Sequence, residues 1–247
     1  MAPLYWLKRP IAHRGLHDAA RGIAENSRSA VIAAMRKGYA IEVDLQCAAG
    51  DKPIVFHDAT LDRLTDETGP VAAQDVEALR SVPLKGSEDR ILSLPDVLAQ
   101  VGGYVPLVLE VKSTWTRDGA FETNIAQELS GYAGPVAVMS FDPYAVAAFL
   151  KCAPALPRGL VAGRFDDAEH WHGLSPVRRF AMRHLLTSAF AQPHFIAYDV
   201  KSLPAVAPLV AKALFGLPLL AWTVKTEAER TRALRYADAV IFERIEP

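Results

Sequence analysis

The chain has 247 residues, 51% of them apolar, a formal net charge of −1 and a pI near 6.7. That length suits one large α/β domain or two small ones, and the apolar content is enough for a full core. The near-neutral balance offers no basic excess for nucleic acid or for an anionic membrane.

In chain order, residues 11–15 read as a strand ending at Gly15, and 25–37 as a helix stopped by Gly38. Residues 40–46 and 53–56 are strands joined across the turn at Gly50 and Asp51. A short helical piece covers 74–80. Strands follow at 107–112, 136–141, 159–161, 195–199, 219–224 and 239–242. Helices fit 120–129, 143–151, 178–190, 206–215 and 227–236, the second opening on proline. Alternation of this kind predicts a parallel sheet with helices outside. Nine strands are one too many for an eight-stranded barrel. The link from Gln46 to Pro53 is too short for a crossover helix, so 40–46 and 53–56 are expected to form a hairpin. The expected architecture is a single TIM-type (β/α)8 barrel over 1–247, with residues 59–92 as a small insertion over its mouth. Residues 164–176 read as a long loop.

Cys47 and Cys152 lie in no CxxC pair and beside no histidine at zinc spacing, so buried free thiols are expected. The first ten residues are too short and mixed for a signal peptide. The most apolar stretch, 203–222, is broken by Pro204, Pro208, Gly216 and Pro218 and carries Lys212, which suits a helix and a buried strand better than a membrane span. A soluble, cytoplasmic protein without stable membrane insertion is expected.

Four runs fall at strand ends: His13-Arg14-Gly15, Glu42-Val43-Asp44, His57-Asp58 and Glu110-Val111-Lys112. In a barrel, C-terminal strand ends converge on one mouth. Alternation puts Glu42 and Asp44 on one face, and Glu110 with Lys112 on one face. Converging carboxylates repel unless a cation lies between them, and three oxygen donors suit Mg²⁺ or Ca²⁺ better than Zn²⁺. Arg14 and Lys112 add positive charge for an anionic substrate. His13 and His57 are suited to proton transfer near neutral pH. Each run alone has a structural explanation, whether a hydrogen-bonded histidine, a solvated ExD face or an ion pair. Four of them at matching strand ends make coincidence a poor account.

These runs, with Glu25-Asn26-Ser27, Val55-Phe56-His57-Asp58, Leu61-Asp62-Arg63-Leu64-Thr65 and Ala221-Trp222-Thr223-Val224, resemble the glycerophosphodiester phosphodiesterase family over nearly the whole chain. The resemblance implies that His13 and His57 are catalytic and that Glu42, Asp44 and Glu110 bind the metal. It implies that Arg14 and Lys112 contact phosphate and that Trp222 lines the pocket. The implied substrate is a small glycerophosphodiester. Two positions depart from the family pattern: Lys225 follows the Trp-Thr-Val run, and the last strand ends Phe242-Glu243-Arg244. Alternatives are a lysophospholipase D-type phosphodiesterase, which needs an apolar landing surface, and a non-catalytic binding barrel. Val71, Val76, Leu79 and Val82 of the insertion are too few for such a surface. His170-Trp171-His172, with Asp166, Asp167 and Glu169, is read as a surface loop rather than a metal site, and Asp199 as either a cap or a mouth residue. Glu25 and Asn26 are placed at the start of the first helix, a role asparagine fills well, with reach to the site as the alternative for either.

Overall fold

The computed structural model describes residues 4–167, 171 and 173–247. Eight parallel strands close on themselves: β1 (Ile11–Ala12), β2 (Ala40–Ala48), β5 (Leu107–Val111), β6 (Val136–Ser140), β7 (Arg158–Ala162), β8 (Phe195–Asp199), β9 (Leu219–Val224) and β10 (Ala239–Phe242). Closure is made by β1, which pairs Ile11 with Ala40 on one side and with Ile241 on the other. Two short strands, β3 (Lys52–Val55) and β4 (Leu92–Ser93), lie outside the barrel. As the short link requires, β3 turns back antiparallel on the far end of β2, pairing Leu45 with Val55, and β4 extends that sheet.

The helices are α1 (Arg28–Lys37), α2 (Val76–Ser81), α3 (Leu94–Val101), α4 (Ala120–Leu129), α5 (Pro143–Cys152), α6 (Pro176–Arg183), α7 (Ser188–Ala191), α8 (Val206–Phe215) and α9 (Glu227–Tyr236). Alternation divides the core. Inward side chains such as Ile11, Val108, Ala137, Met139, Val161, Phe195, Ala197 and Leu220 fill the barrel interior, and Trp6 and Leu7 join them. A side chain at Gly159 would meet the Phe195 ring at 2.2 Å, so glycine is required there for the ring to fit. The opposite faces of the strands pack on the helices. Residues 59–91 have a small core of their own, in which Leu61, Val71, Leu79, Leu84 and Ile91 pack on Ile54 and Phe56.

Several sequence expectations are corrected. The first strand ends at Ala12, because Arg14 and Gly15 have φ of 54° and 74° and turn the chain away. The first helix begins at Arg28 with Ser27 as its cap, since Asn26 has φ 56° and lies outside it. The helix expected over 178–190 is two, α6 and α7, parted at Leu185 with φ 56°. Helix α3 was not foreseen, although Ser93 and Asp96 form a capping box at its start. Cys47 is buried as expected, whereas Cys152 is exposed at the end of α5.

Candidate active site

The His13-Arg14-Gly15 turn is held by the strand beside it. His13 N–H donates to Phe242 O at 3.0 Å and Gly15 N–H to Glu42 O at 3.0 Å. The Arg14 amide donates to Glu42 Oε2 at 2.8 Å. A Cβ at Gly15 would lie 2.8 Å from Ala30, so this glycine is needed for both φ and space.

Strand register brings the carboxylates together: Asp44 lies opposite Glu110, and Glu42 opposite Val108, one inward position below. Ligand atoms of Glu42, Asp44 and Glu110 all lie within 4.8 Å of one another. Asp44 is locked on both sides. Asn26 Nδ2 donates to its Oδ2 at 2.8 Å, and the Asp44 amide donates to Asn26 Oδ1 at 3.1 Å. Lys112 Nζ lies 2.9 Å from Asp44 Oδ1 and also bonds Glu110. Arg14 Nε is 3.2 Å from Asp44 Oδ2.

Burial alone would raise the Asp44 carboxyl, but Lys112 and then Arg14 outweigh it and hold the group ionised, well below the usual range. Glu42 goes the other way: burial, then Asp44 and Glu110, push its carboxyl well above the usual range. Its Oε1 is buried with no hydrogen-bond partner among the described residues. A buried carboxylate oxygen without a donor, beside two more carboxylates, fits a hard divalent cation.

Both histidines have a carboxylate at Nδ1. His13 Nδ1 is 3.1 Å from Glu243 Oε2, with its Nε2 3.9 Å from Glu42. His57 Nδ1 is 2.7 Å from Asp58 Oδ1. Burial lowers the His57 imidazole, and Asp44 offsets part of this. Arg63 Nε and Nη2 bind Asp58, while Nη1 and Nη2 reach Glu25, which also takes Arg14 at 2.8 Å. Glu243 in turn is 3.0 Å from Lys225 Nζ. Bonding to His13 holds the Glu243 carboxyl low against the opposing effect of burial, with Lys225 adding to it. The two positions that depart from the family pattern are therefore one ion pair behind His13. Sequence reasoning placed neither there, because their partners are far away in the chain.

A cavity of about 930 Å³ opens above this floor, lined by His13, Arg14, His57, Glu110, Lys112 and Trp222 among others. Its opposite wall is aromatic. Phe141 lies 5.3 Å from Trp222 and 5.3 Å from Trp171, and Phe165 lies 4.9 Å from Trp171. Trp171 and Asp167 line the cavity, so these two residues belong to the mouth rather than to a remote surface. Glu169, His170 and His172 fall outside the described residues, and Asp166 pairs with Arg164 at 2.9 Å. Asp199 is a cap: it accepts from Lys201 N at 3.0 Å and from Ser202 Oγ at 2.6 Å.

An eight-stranded parallel barrel with acids, bases and cations gathered at the C-terminal strand ends defines an enzyme of the TIM-barrel type. Residues 13–246 match the glycerophosphoryl diester phosphodiesterase family, and the chain belongs to it. A glycerophosphodiester phosphodiesterase from Caldanaerobacter subterraneus subsp. tengcongensis is 30% identical over 172 residues, covering 66% of this chain and 69% of that protein. The fold matches an Oleispira antarctica phosphodiesterase solved with the product sn-glycerol-3-phosphate (TM-score 0.78, 19% identity, 96% of this chain and 93% of that one). It also matches a glycerophosphodiester phosphodiesterase from Agrobacterium tumefaciens (TM-score 0.70, 22% identity, 95% of each chain). As a member of this family the chain is a phosphoric diester hydrolase.

Proposed function

We propose that the chain hydrolyses glycerophosphodiesters to glycerol 3-phosphate and an alcohol, with His13 and His57 as its acid/base pair. The observation that carries this reading is that one cavity has both histidines, Arg14 and Lys112 on its wall above the cluster of Glu42, Asp44 and Glu110. The relative solved with sn-glycerol-3-phosphate supports the same product.

Glu42, Asp44 and Glu110 would hold Mg²⁺ or Ca²⁺, which supplies Lewis-acid neutralisation of phosphate charge when bound. Arg14 and Lys112 face the cavity and attract the diester anion. Trp222 Nε1 is buried without an acceptor among the described residues, and its N–H is available to a substrate oxygen. Glu243 and Asp58 hold the Nδ1 atoms of the two histidines, leaving each Nε2 to exchange protons in the cavity.

The attacking group is the glycerol 2-hydroxyl. Its tether to phosphorus replaces a large entropic cost. Ser113 and Cys47 are poor rivals: Ser113 Oγ bonds Asp142 at 2.6 Å, and burial pushes the Cys47 thiol up to about 12. One imidazole takes the hydroxyl proton as its oxygen bonds to phosphorus. The bond to the leaving alcohol breaks, and the other imidazole protonates that oxygen. Water then opens the cyclic phosphate.

The test is product analysis across glycerophosphocholine, glycerophosphoethanolamine, glycerophosphoinositol and a lysolipid. Glycerol 3-phosphate should appear with Mg²⁺ or Ca²⁺, and its absence from every glycerophosphodiester would overturn the reading. An analogue with the 2-hydroxyl replaced by hydrogen should bind without turnover, whereas brisk hydrolysis of it would mean direct attack by water. The free thiols Cys47 and Cys152 support a reducing, cytoplasmic location. Among the described residues, no helix is long and apolar enough to cross a membrane.

A further inference from the structure

Helix α6 turns an unusual face outward. Val177 is 77% exposed and Phe180, three residues on, 58%; Leu186 and Phe190 follow at 59% and 41%. Four large apolar side chains on one short segment exceed the scattered singles of an ordinary surface. The same segment is basic. No aspartate or glutamate occurs from 171 to 198, whereas Arg178, Arg179 and Arg183 do, in a chain whose net charge is −1. The overall balance therefore conceals a local positive patch beside exposed apolar groups, the combination that settles at an anionic lipid interface.

The position suits that use. The segment follows β7, on the side where the catalytic cavity opens. A groove of about 160 Å³ between α6 and the loop after β5 is lined by Trp115, Tyr144, Val177 and Arg178, and Trp115 also lines the catalytic cavity. Groove and cavity thus share a wall. Tyr144 fixes the basic side: Arg117 lies 3.8 Å and Arg178 5.8 Å from its ring centre, and Phe190 packs on it at 5.1 Å. At the other end of α6, a second groove of about 430 Å³ is lined by Arg164, Arg183, His184 and Lys201, with Val206 at its edge. Arg164 there is paired with Asp166, while Arg183 and Lys201 offer positive charge to an anionic headgroup.

We propose that α6 and the turn after it dock on an anionic phospholipid surface, seating the barrel mouth at the lipid–water interface. A two-fold pair of copies would set this positive face against itself, which favours lipid over self-association. The proposal deepens the glycerophosphodiester reading and rests on it for one consequence. A lysophospholipid could present its diester to the cavity while its acyl chain stays along the Trp115 groove. The insertion does not provide this landing surface, because Val71 and Leu79 are buried in its own small core.

The experiment is co-sedimentation of the full chain with vesicles of phosphatidylcholine alone and of phosphatidylcholine with phosphatidylserine. Binding is expected only with phosphatidylserine and should weaken as salt rises. V177D/F180D should abolish it, and Arg179→Gln and Arg183→Gln should each weaken partition about fivefold. All three variants should hydrolyse soluble glycerophosphocholine at the wild-type rate, which shows that they are folded. No binding at low salt overturns the proposal, and so does undiminished binding by V177D/F180D. Dimerisation that V177D/F180D abolishes, without vesicle binding, assigns the face to a second copy instead. Vesicle binding without any glycerophosphodiester hydrolysis would leave the docking in place and remove the catalytic reading.

Discussion

The two sides of the barrel mouth are built on different principles. The side made by β1, β2, β5 and the β3 hairpin is ionic and cross-tied. Asp44 has Asn26, Lys112 and Arg14, while Glu25 has Arg14 and Arg63. The side made by β6, β7 and β9 is aromatic, with Phe141, Phe165, Trp171 and Trp222 packed edge to tilted face. A buried charge that loses its partner costs roughly 3–5 kcal/mol, so the ionic side tolerates few single changes. Aromatic rings offer area and shape, and a similar apolar body can replace them at smaller cost. The proposed function assigns reaction chemistry to the first side and choice of leaving group to the second.

The largest effect expected of this division is on the carboxylates. Chelation, or Glu42→Gln, Asp44→Asn or Glu110→Gln, should bring turnover to background, and added Mg²⁺, Ca²⁺ or Mn²⁺ should restore the chelated wild type. Full activity in a rigorously metal-free sample would break the assignment. Next come His13→Ala and His57→Ala, each expected to lower kcat by roughly 10²–10⁴. The proposed mechanism requires one imidazole neutral and the other protonated at the start, so the wild-type pH–rate profile should be a bell and each variant should lose one limb. A folded histidine variant of near wild-type rate would remove that residue from the mechanism.

Glu243→Gln keeps the shape behind His13 but removes the charge. It should lower kcat by roughly 10–100-fold with KM little changed, as loss of an orienting partner does. Equal losses at saturating and limiting substrate would fit that role, whereas a pure KM effect would place Glu243 against substrate. The smallest effect belongs to the aromatic side. Trp222→Ala or Phe141→Ala should raise KM about tenfold and leave kcat nearly intact. If these variants lost kcat as the histidine variants do, the two sides would not be separable.

The ionic side was legible in the sequence because its parts are local. Glu42 and Asp44, or Glu110 and Lys112, are two residues apart, and strand alternation alone puts them on one face. The hairpin was legible from a link too short to cross over. What stayed hidden depends on distant partners or on backbone turns. Glu243 meets His13 across 230 residues, and Asn26 leaves the helix for a left-handed turn that no pattern of apolar residues marks. Trp171 looked like part of a polar connection, because its packing on Phe141 and Phe165 is a tertiary fact. Helix α3 was missed although its capping box was present in the letters, hidden inside a stretch read as insertion and connection.

The closing pair of the barrel has a consequence for how the enzyme comes into being. The strand that leads into His13 is synthesised before the rest of the barrel, yet one neighbour of that strand and the carboxylate that steadies its histidine follow some 230 residues later. A growing chain therefore carries Glu42, Asp44, Glu110 and the His57–Asp58 pair long before His13 meets the carboxylate that orients it. Until β10 emerges, β1 and β9 are open edges of the kind that invite strand exchange with other chains. Activity should switch on late and abruptly along the series of nascent lengths, and a stop shortly before residue 239 should yield an aggregating product rather than a weakened enzyme.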